Sequence, residues 1–322
     1  MSKARELADV IGTQDTTENV LQGRKNLIIN GAMQVAQRGT SEIGTSNYFL
    51  DRWKKQSSTN ANVTFSQDTA DTPDGFRYAL KAVATGSSSF IQMGQPIEFK
   101  NMAHALGKTV TLSYWAKTNL SFYSRIRSRT DTEDATTVFT ATTLSVITES
   151  ASTDWKLFTH TFIVPSTTLA MSVDFNTVAL VSGDYFQITG VQLEVGSVAT
   201  PFEHRSYGEE LALCQRYYLQ YSNDSSSGDM GNLVLSACSS GANQISGTIQ
   251  FPVTMRATPT ASYSSSIYQA VNGVTNGNRT ISSASGGKSY MTILADWTHT
   301  AGYESGQLYF ASGQYVKCDA EL

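Results

Sequence analysis

The segment Leu169–Asn176 constrains the fold more than any other part of this chain. Leu169, Met171, Val173 and Phe175 alternate with Ala170, Ser172, Asp174 and Asn176. A period of two buries one side of a pleated strand and cannot line one face of a helix. Val110, Leu112 and Tyr114 alternate in the same way with Thr111 and Ser113. So do Phe186, Ile188, Val191, Leu193 and Val195, with a one-residue slip at Gly190 that predicts a bulge. Trp155–Val164 is apolar on both sides, which predicts a central strand under cover. Asn30-Gly31 and Asp74-Gly75 carry turn chemistry. Short strands at regular spacing, with no strand–helix–strand alternation, predict an all-β fold of sandwich type. Composition agrees: charged residues are 16% of the chain, and Thr, Val, Tyr and Phe suit a pleated surface.

Two helices interrupt this pattern. Ala4, Leu7, Ala8 and Ile11 share one face at helical spacing, with Ser2 able to cap the start and Gly12 the end. Eleven residues hold no helix alone in water, so this one needs a partner surface and reads as a docking or oligomerisation anchor. Residues 13–25 are polar and aperiodic, a linker. Ser206 and Glu209 stand in capping-box spacing ahead of Leu211, Ala212, Leu213 and Cys214, a short helix that marks a boundary. The expected organisation is therefore 1–25, an N-terminal helical anchor and linker; 26–205, one jelly-roll-like β-sandwich; and 206–322, a second β-sandwich head. In the last part Asp224–Gly228 reads as a flexible loop and Pro252 and Pro259 bar their segment from the middle of a sheet.

Two runs carry a resemblance. One is Asn26-Leu-Ile-Ile-Asn-Gly-Ala-Met-Gln-Val-Ala-Gln-Arg-Gly39, read as strand, turn and strand. The other is Gly183-Asp-Tyr-Phe-Gln-Ile-Thr-Gly-Val-Gln-Leu-Glu-Val-Gly196. Together they resemble the two ends of the carbohydrate-binding-like jelly roll of bacteriophage fibre and receptor-binding proteins. Tyr48-Phe-Leu-Asp-Arg-Trp53 and the stretch from Thr200 to Tyr218 extend the likeness, which covers residues 1 to about 220. It implies that the opening and closing runs lie together and complete one sandwich. It also implies a tail or capsid fibre, commonly a homotrimer, joined to other virion proteins through its N-terminus and adhering to bacterial surface polysaccharide. A carbohydrate module of this kind often holds a structural calcium, for which Asn30, Asp184 and Glu194 are the available oxygens. Three scattered ligands do not specify such a site, and no metal or other cofactor is assigned.

The charge pattern narrows the alternatives. A formal charge of −4 lacks the basic footprint of a nucleic-acid binder. Arg125-Ile-Arg-Ser-Arg129 puts three arginines on one strand face, expected to be solvated. The N-terminus has no signal-peptide core and no apolar run reaches the roughly 20 residues of a membrane span, so neither secretion by signal nor membrane insertion is expected. Synthesis in a host cytoplasm followed by assembly into a virion satisfies both. Cys214, Cys238 and Cys318 lack metal-ligand spacing, and the four histidines form no catalytic or metal motif. Asp131, Glu133 and Asp134 read as a polar loop rather than a glycosidase pair, so no enzyme is expected. For ligand binding, Trp53, Trp115 and Trp155 read as core. Trp297 stands in a polar, turn-like stretch, with Tyr290 and Tyr303 as its neighbours; these three are the candidate sugar platform. The alternatives are a purely structural virion adaptor or capsid decoration without sugar binding, and a glycan hydrolase.

Overall fold

A computed structural model describes residues 24–43, 48–55, 62–87, 90–133, 141–222, 235–241, 244–271, 274–296, 305–310 and 313–321. In chain order come β1 (Ser41–Ile43), β2 (Tyr48–Leu50), β3 (Trp53–Lys55), β4 (Val63–Asp68), β5 (Ala79–Ala84) and β6 (Gln92–Glu98). Helix α1 (Phe99–Met102) follows, then β7 (Thr109–Thr118), β8 (Phe122–Arg129), β9 (Thr142–Glu149), β10 (Ser152–Ile163), β11 (Ala170–Thr177) and β12 (Tyr185–Val195). Contacts divide the chain into two compact units. The first is built chiefly from Trp53–Arg205; the second from Ser206–Leu322 together with Val35–Thr40 and Tyr48–Arg52. The protein is all-β with few helices, and its sheets are antiparallel.

In the first unit one sheet runs β1-β4-β5-β12-β7-β10 and the other includes β3-β6-β11-β8-β9. Aromatic rings fill the space between them. Tyr114 of β7 stacks on Phe158 at 5.6 Å and meets Phe175 of β11 edge-on at 4.8 Å, while Phe122 and Phe186 touch at 5.0 Å. Met171, Val173 and Phe175 are each at most 1% exposed, but the other side is not open as alternation predicts: Ala170, Ser172 and Asp174 are 0% and Asn176 2% exposed. His160 lies in this core, its ring held by Ser124 at 3.2 Å and Ser145 at 2.8 Å.

The bulge falls where the slip predicts: register shifts between Thr189 and Gln192, and Gly190 adopts φ +60°. A Cβ there would stand 2.6 Å from the Phe76 ring. Past the bulge the opening run lies against the closing one. Leu27 N donates to Leu193 O at 2.9 Å, Val191 N to Gly31 O at 3.0 Å, and the Asn26 side chain accepts from Leu193 N at 3.0 Å. The opening run is not the strand–turn–strand expected. It is irregular backbone with Asn30 and Met33 at φ +57°, since side-chain partners take over the ladder. Glu203 accepts from Asn26 N at 2.9 Å and Arg205 donates to Ile28 O at 3.1 Å, tying down Thr200–Arg205. Trp155–Val164 also departs from expectation. All of it but Val164 lies in β10, an edge strand, and its second apolar side is open: Leu157 is 47% and Ile163 62% exposed.

The second unit begins with α2 (Tyr207–Gln215), whose capping box joins Ser206 and Glu209. Next come β13 (Tyr218–Ser222), β14 (Leu235–Gly241), β15 (Gln244–Gln250), β16 (Thr260–Tyr263), β17 (Ser266–Val271) and β18 (Val274–Gly286). The last strands are β19 (Tyr290–Asp296), β20 (Ser305–Tyr309) and β21 (Tyr315–Asp319). Where a second sandwich was expected, β14-β15-β19-β18-β17-β20 close into a barrel, beside a sheet β13-β21-β16. Closure pairs both edges of each barrel strand, which an open sandwich cannot do. Ile245, Ile249, Met255, Ile267, Met291, Ile293, Leu308 and Phe310 form its core.

Residues of the second unit also build an ionic cluster. Arg52, 1% exposed, pairs with Glu321 and lies 3.6 Å over the Tyr217 ring. Arg38 pairs with Asp319 at 3.3 Å and Glu321 at 3.4 Å, and sits 3.5 Å over Tyr218. Asp51 accepts from the backbone and side chain of Gln37, both at 2.6 Å. The Gln-Arg, Asp-Arg and Tyr-Tyr pairs of the quoted motifs therefore have a structural task.

Candidate functional site

On the side of β6-β11-β8 away from the aromatic core, the first unit holds polar side chains in register. Asp174 of β11 faces Gly94 of β6 on one side and Arg125 of β8 on the other. The even-numbered residues Ser172, Asp174 and Asn176 point away from the core that Val173 and Phe175 enter. By the same parity Gln92, Gly94, Pro96 and Glu98 of β6 share this face, with Tyr123, Arg125, Arg127 and Arg129 of β8 and Lys54 of β3.

Asp174 is fully buried, and an ionised carboxylate is tolerated there only with partners. Arg125 supplies two bonds to Asp174 Oδ2, from Nε at 2.9 Å and from Nη2 at 2.6 Å. Asn176 Nδ2 adds a third at 2.9 Å and Gln92 Nε2 a long fourth at 3.5 Å. Arg125 also donates to Asn176 Oδ1 at 3.3 Å, and its guanidinium lies 5.4 Å from the Tyr123 ring centroid. Charge-assisted bonds of this kind hold side chains in one geometry before any ligand arrives. Gly94 makes room for the network: a Cβ there would stand 2.4 Å from Val173 O and 2.7 Å from Asp174 Cβ.

Arg127 is placed differently. Its Nε approaches Asp174 Oδ1 only to 3.8 Å, and neither atom has a hydrogen-bond partner. Burial pulls the Arg127 guanidinium below its ordinary value, with Asp174 opposing. Arg129 is engaged by Asp131 through bonds of 2.9 and 2.6 Å. The expectation of three solvated arginines fails, since their side chains are only 13–23% exposed. Neighbouring strands and the buried carboxylate draw them onto the sheet.

The residues singled out from sequence fall elsewhere. Trp297 and Tyr303 lie outside the described residues, as do Ala4, Leu7, Ala8 and Ile11. Tyr290 opens β19 and is 45% exposed. Trp53 is core, donating to Asn30 O at 3.0 Å. Trp115 and Trp155 are not: both are half-buried on the outward face of the other sheet, where Trp155 Nε1 donates to Asp71 at 2.9 Å. The three oxygen residues weighed for calcium have separate protein partners. Asp184 accepts from Asn119 and Val181 N, Glu194 from Thr200 and Gln192, and Asn30 O from Trp53. Among the described residues no group of three His, Cys, Asp or Glu is placed to hold a metal.

Sequence reading missed Gln92, Tyr123, Arg125, Arg127, Asp174 and Asn176 as a set. The signal was present in two places: a carboxylate on the polar side of the most regular strand, and arginines at every second position of another.

No family model matches the chain, and no curated protein does. Solved structures with a similar fold include carbohydrate-binding modules, a phage tailspike domain and glycoside hydrolases. One is the enzymatically active domain of tailspike protein 4 of bacteriophage CBA120 (13% identity, TM-score 0.37), matched over 53% of this chain and 21% of that one. The match thus spans about a fifth of that solved chain. A CBM4 carbohydrate-binding module matches at 18% identity and TM-score 0.35, over 52% of this chain and 98% of its own. A putative sugar-binding protein from Bacteroides thetaiotaomicron matches at 11% identity and TM-score 0.35, over 53% and 100%. At these levels the functional reading rests on the polar face itself.

Proposed function

We propose that this chain is a non-enzymatic glycan-binding component of a bacteriophage fibre, holding bacterial surface polysaccharide on the outward face of β6-β11-β8. The observation that carries the sugar reading is the fixed row Gln92–Asp174–Asn176–Arg125 beside Tyr123. Sugars offer vicinal hydroxyls, which suit paired amide and guanidinium groups, and an apolar C–H face, which packs on an aromatic ring. Asp174 serves here as the partner of Arg125 and Asn176, a fixed charge rather than a free general acid. The phage part of the reading is supported by the sequence resemblance over residues 1 to about 220. In it the N-terminal helix docks on other virion proteins, the chain is a homotrimer, and many weak sugar contacts add up to avidity.

Titration calorimetry or affinity electrophoresis of the full chain against bacterial surface polysaccharides tests the sugar reading. Replacing Tyr123 by Ala, or Asn176 by Ala, is expected to weaken binding at least about tenfold, the loss of roughly 1.4 kcal/mol or more. The unfolding midpoint stays near that of the parent for Tyr123→Ala and falls for Asn176→Ala, which removes a buried partner of Asp174. Binding unchanged in both variants removes this face from the reading.

A further inference from the structure

We infer that the glycan taken by this face is acidic, a carboxylate-bearing polysaccharide whose charge is received by Arg127; this rests on the glycan reading above. Among the described residues of these strands, Lys54, Arg125, Arg127 and Arg129 share the face with two carboxylates, Glu98 and Asp174. Arg129 is taken up by Asp131, and Asp174 is committed to Arg125 through both contacts to Oδ2. Glu98 stands level with Ala170, four residues along β11 from Asp174. Lys54 has an interaction of its own, and beside it stands Arg127, which shares Asp174 with Arg125 and so lacks a full counter-charge. Arg127 is the least exposed of the three arginines at 13%, and its Nε lies 3.8 Å from Asp174 Oδ1. The Nε of Arg127 is buried and makes no hydrogen bond, a cost that an anion reaching the guanidinium would offset. Its pKa, lowered chiefly by burial, points the same way.

Geometry favours a carboxylate as that anion. Guanidinium is a planar fork that matches a carboxylate bidentately, and charge-assisted bonds of this type are about twice as strong as neutral ones. Arg127 also lies next but one to Arg125 on β8, so a sugar seated on the Tyr123–Asn176 end would carry its neighbour's substituents toward Arg127. Asp174 does not repel the incoming group as a bare charge would, because Arg125 neutralises it. A neutral glycan would satisfy the amides and the Tyr123 ring but would leave Arg127 as it is.

The test uses the full chain and matched pairs of oligosaccharides: oligogalacturonate, alginate and hyaluronate fragments, each beside its carboxyl-reduced neutral form. At least one acidic member is expected to bind ten times or more tighter than its reduced form. That preference should shrink severalfold when salt is raised from about 50 to 500 mM, as a screened ion pair requires. Arg127→Gln should abolish the preference and leave affinity for the neutral form within about twofold, and Arg127→Lys should restore part of it. Tight binding of neutral members without acidic preference overturns the inference and leaves the glycan reading standing. An acidic preference that survives R127Q in a folded variant overturns the role of Arg127. Binding of no member, acidic or neutral, overturns both. The salt series on the unmodified chain decides the point if a variant fails to fold.

Discussion

Arg52 shows how much rests on single buried charges. It is 1% exposed, and Glu321, two residues beyond the end of β21, is what makes that burial tolerable. Glu321→Ala is expected to cost about 3–5 kcal/mol in chemical unfolding followed by near-UV circular dichroism, because it strands a buried cation rather than merely deleting a contact. Asp51 adds a pH dependence. Burial lifts its carboxyl from an ordinary 3.8 to about 6, against the opposing bonds from Gln37. The folded state therefore holds the proton more tightly than the unfolded chain. Its contribution to stability is fully present below about pH 3.8 and is lost as pH rises through about 6, by up to about 3 kcal/mol. Asp51→Asn should remove that slope from an unfolding series between pH 4 and 7. His160 acts with the opposite sign. Burial lowers its pKa from 6.5, so the unfolded chain takes up a proton before the core does, and stability falls as pH drops below about 6.5. Replacing His160 by Gln should flatten that fall. Gly94→Ala belongs here too. Its Cβ would meet backbone and Asp174 together, so a loss of about 2 kcal/mol or more is expected, with sugar binding weakened in the same variant.

Strands were the most legible elements, because alternation records which side of a sheet is buried. The β11 strand and the slip in β12 could be read from Leu169–Asn176 and from Gly190 without any structure, though not that β11 is covered on both sides. The same signal could not say where a strand sits in its sheet. Trp155–Val164 is apolar on both sides yet lies at an edge, since exposed Leu157 and Ile163 carry no mark that separates them from covered residues. The opening run was legible in its location and not in its form. Asn26 and Glu203 side chains satisfy backbone groups that a regular ladder would have paired, and such bonds link positions more than 160 residues apart. Gly190 ties the bulge to its surroundings. At φ +60° and 2.6 Å from Phe76, Gly190→Val is expected to lower the unfolding midpoint by several degrees, roughly the effect of 2 kcal/mol, read by thermal melting.

For the whole molecule the composition and periodicity sufficed for an all-β chain. They did not distinguish a second sandwich from a barrel. Both architectures use short alternating strands, and the difference lies in whether β14 finds β20, a pairing that strand patterns do not encode. On the fibre reading, native mass measurement should give a trimer for the full chain, and a variant starting at Asn26 should lose it if the N-terminal helix is the clamp. The candidate site divides in the same manner. Residue type and alternation are properties of the chain alone, and they placed Asp174 on the polar side of a strand and Arg125, Arg127 and Arg129 on one side of another. That these sides belong to one face, that Arg125 and not Arg127 neutralises Asp174, and that three arginines are withdrawn from water are decided by register between β6, β11 and β8. Register joins positions about 50 to 80 residues apart, and only the folded packing of both sheets selects it.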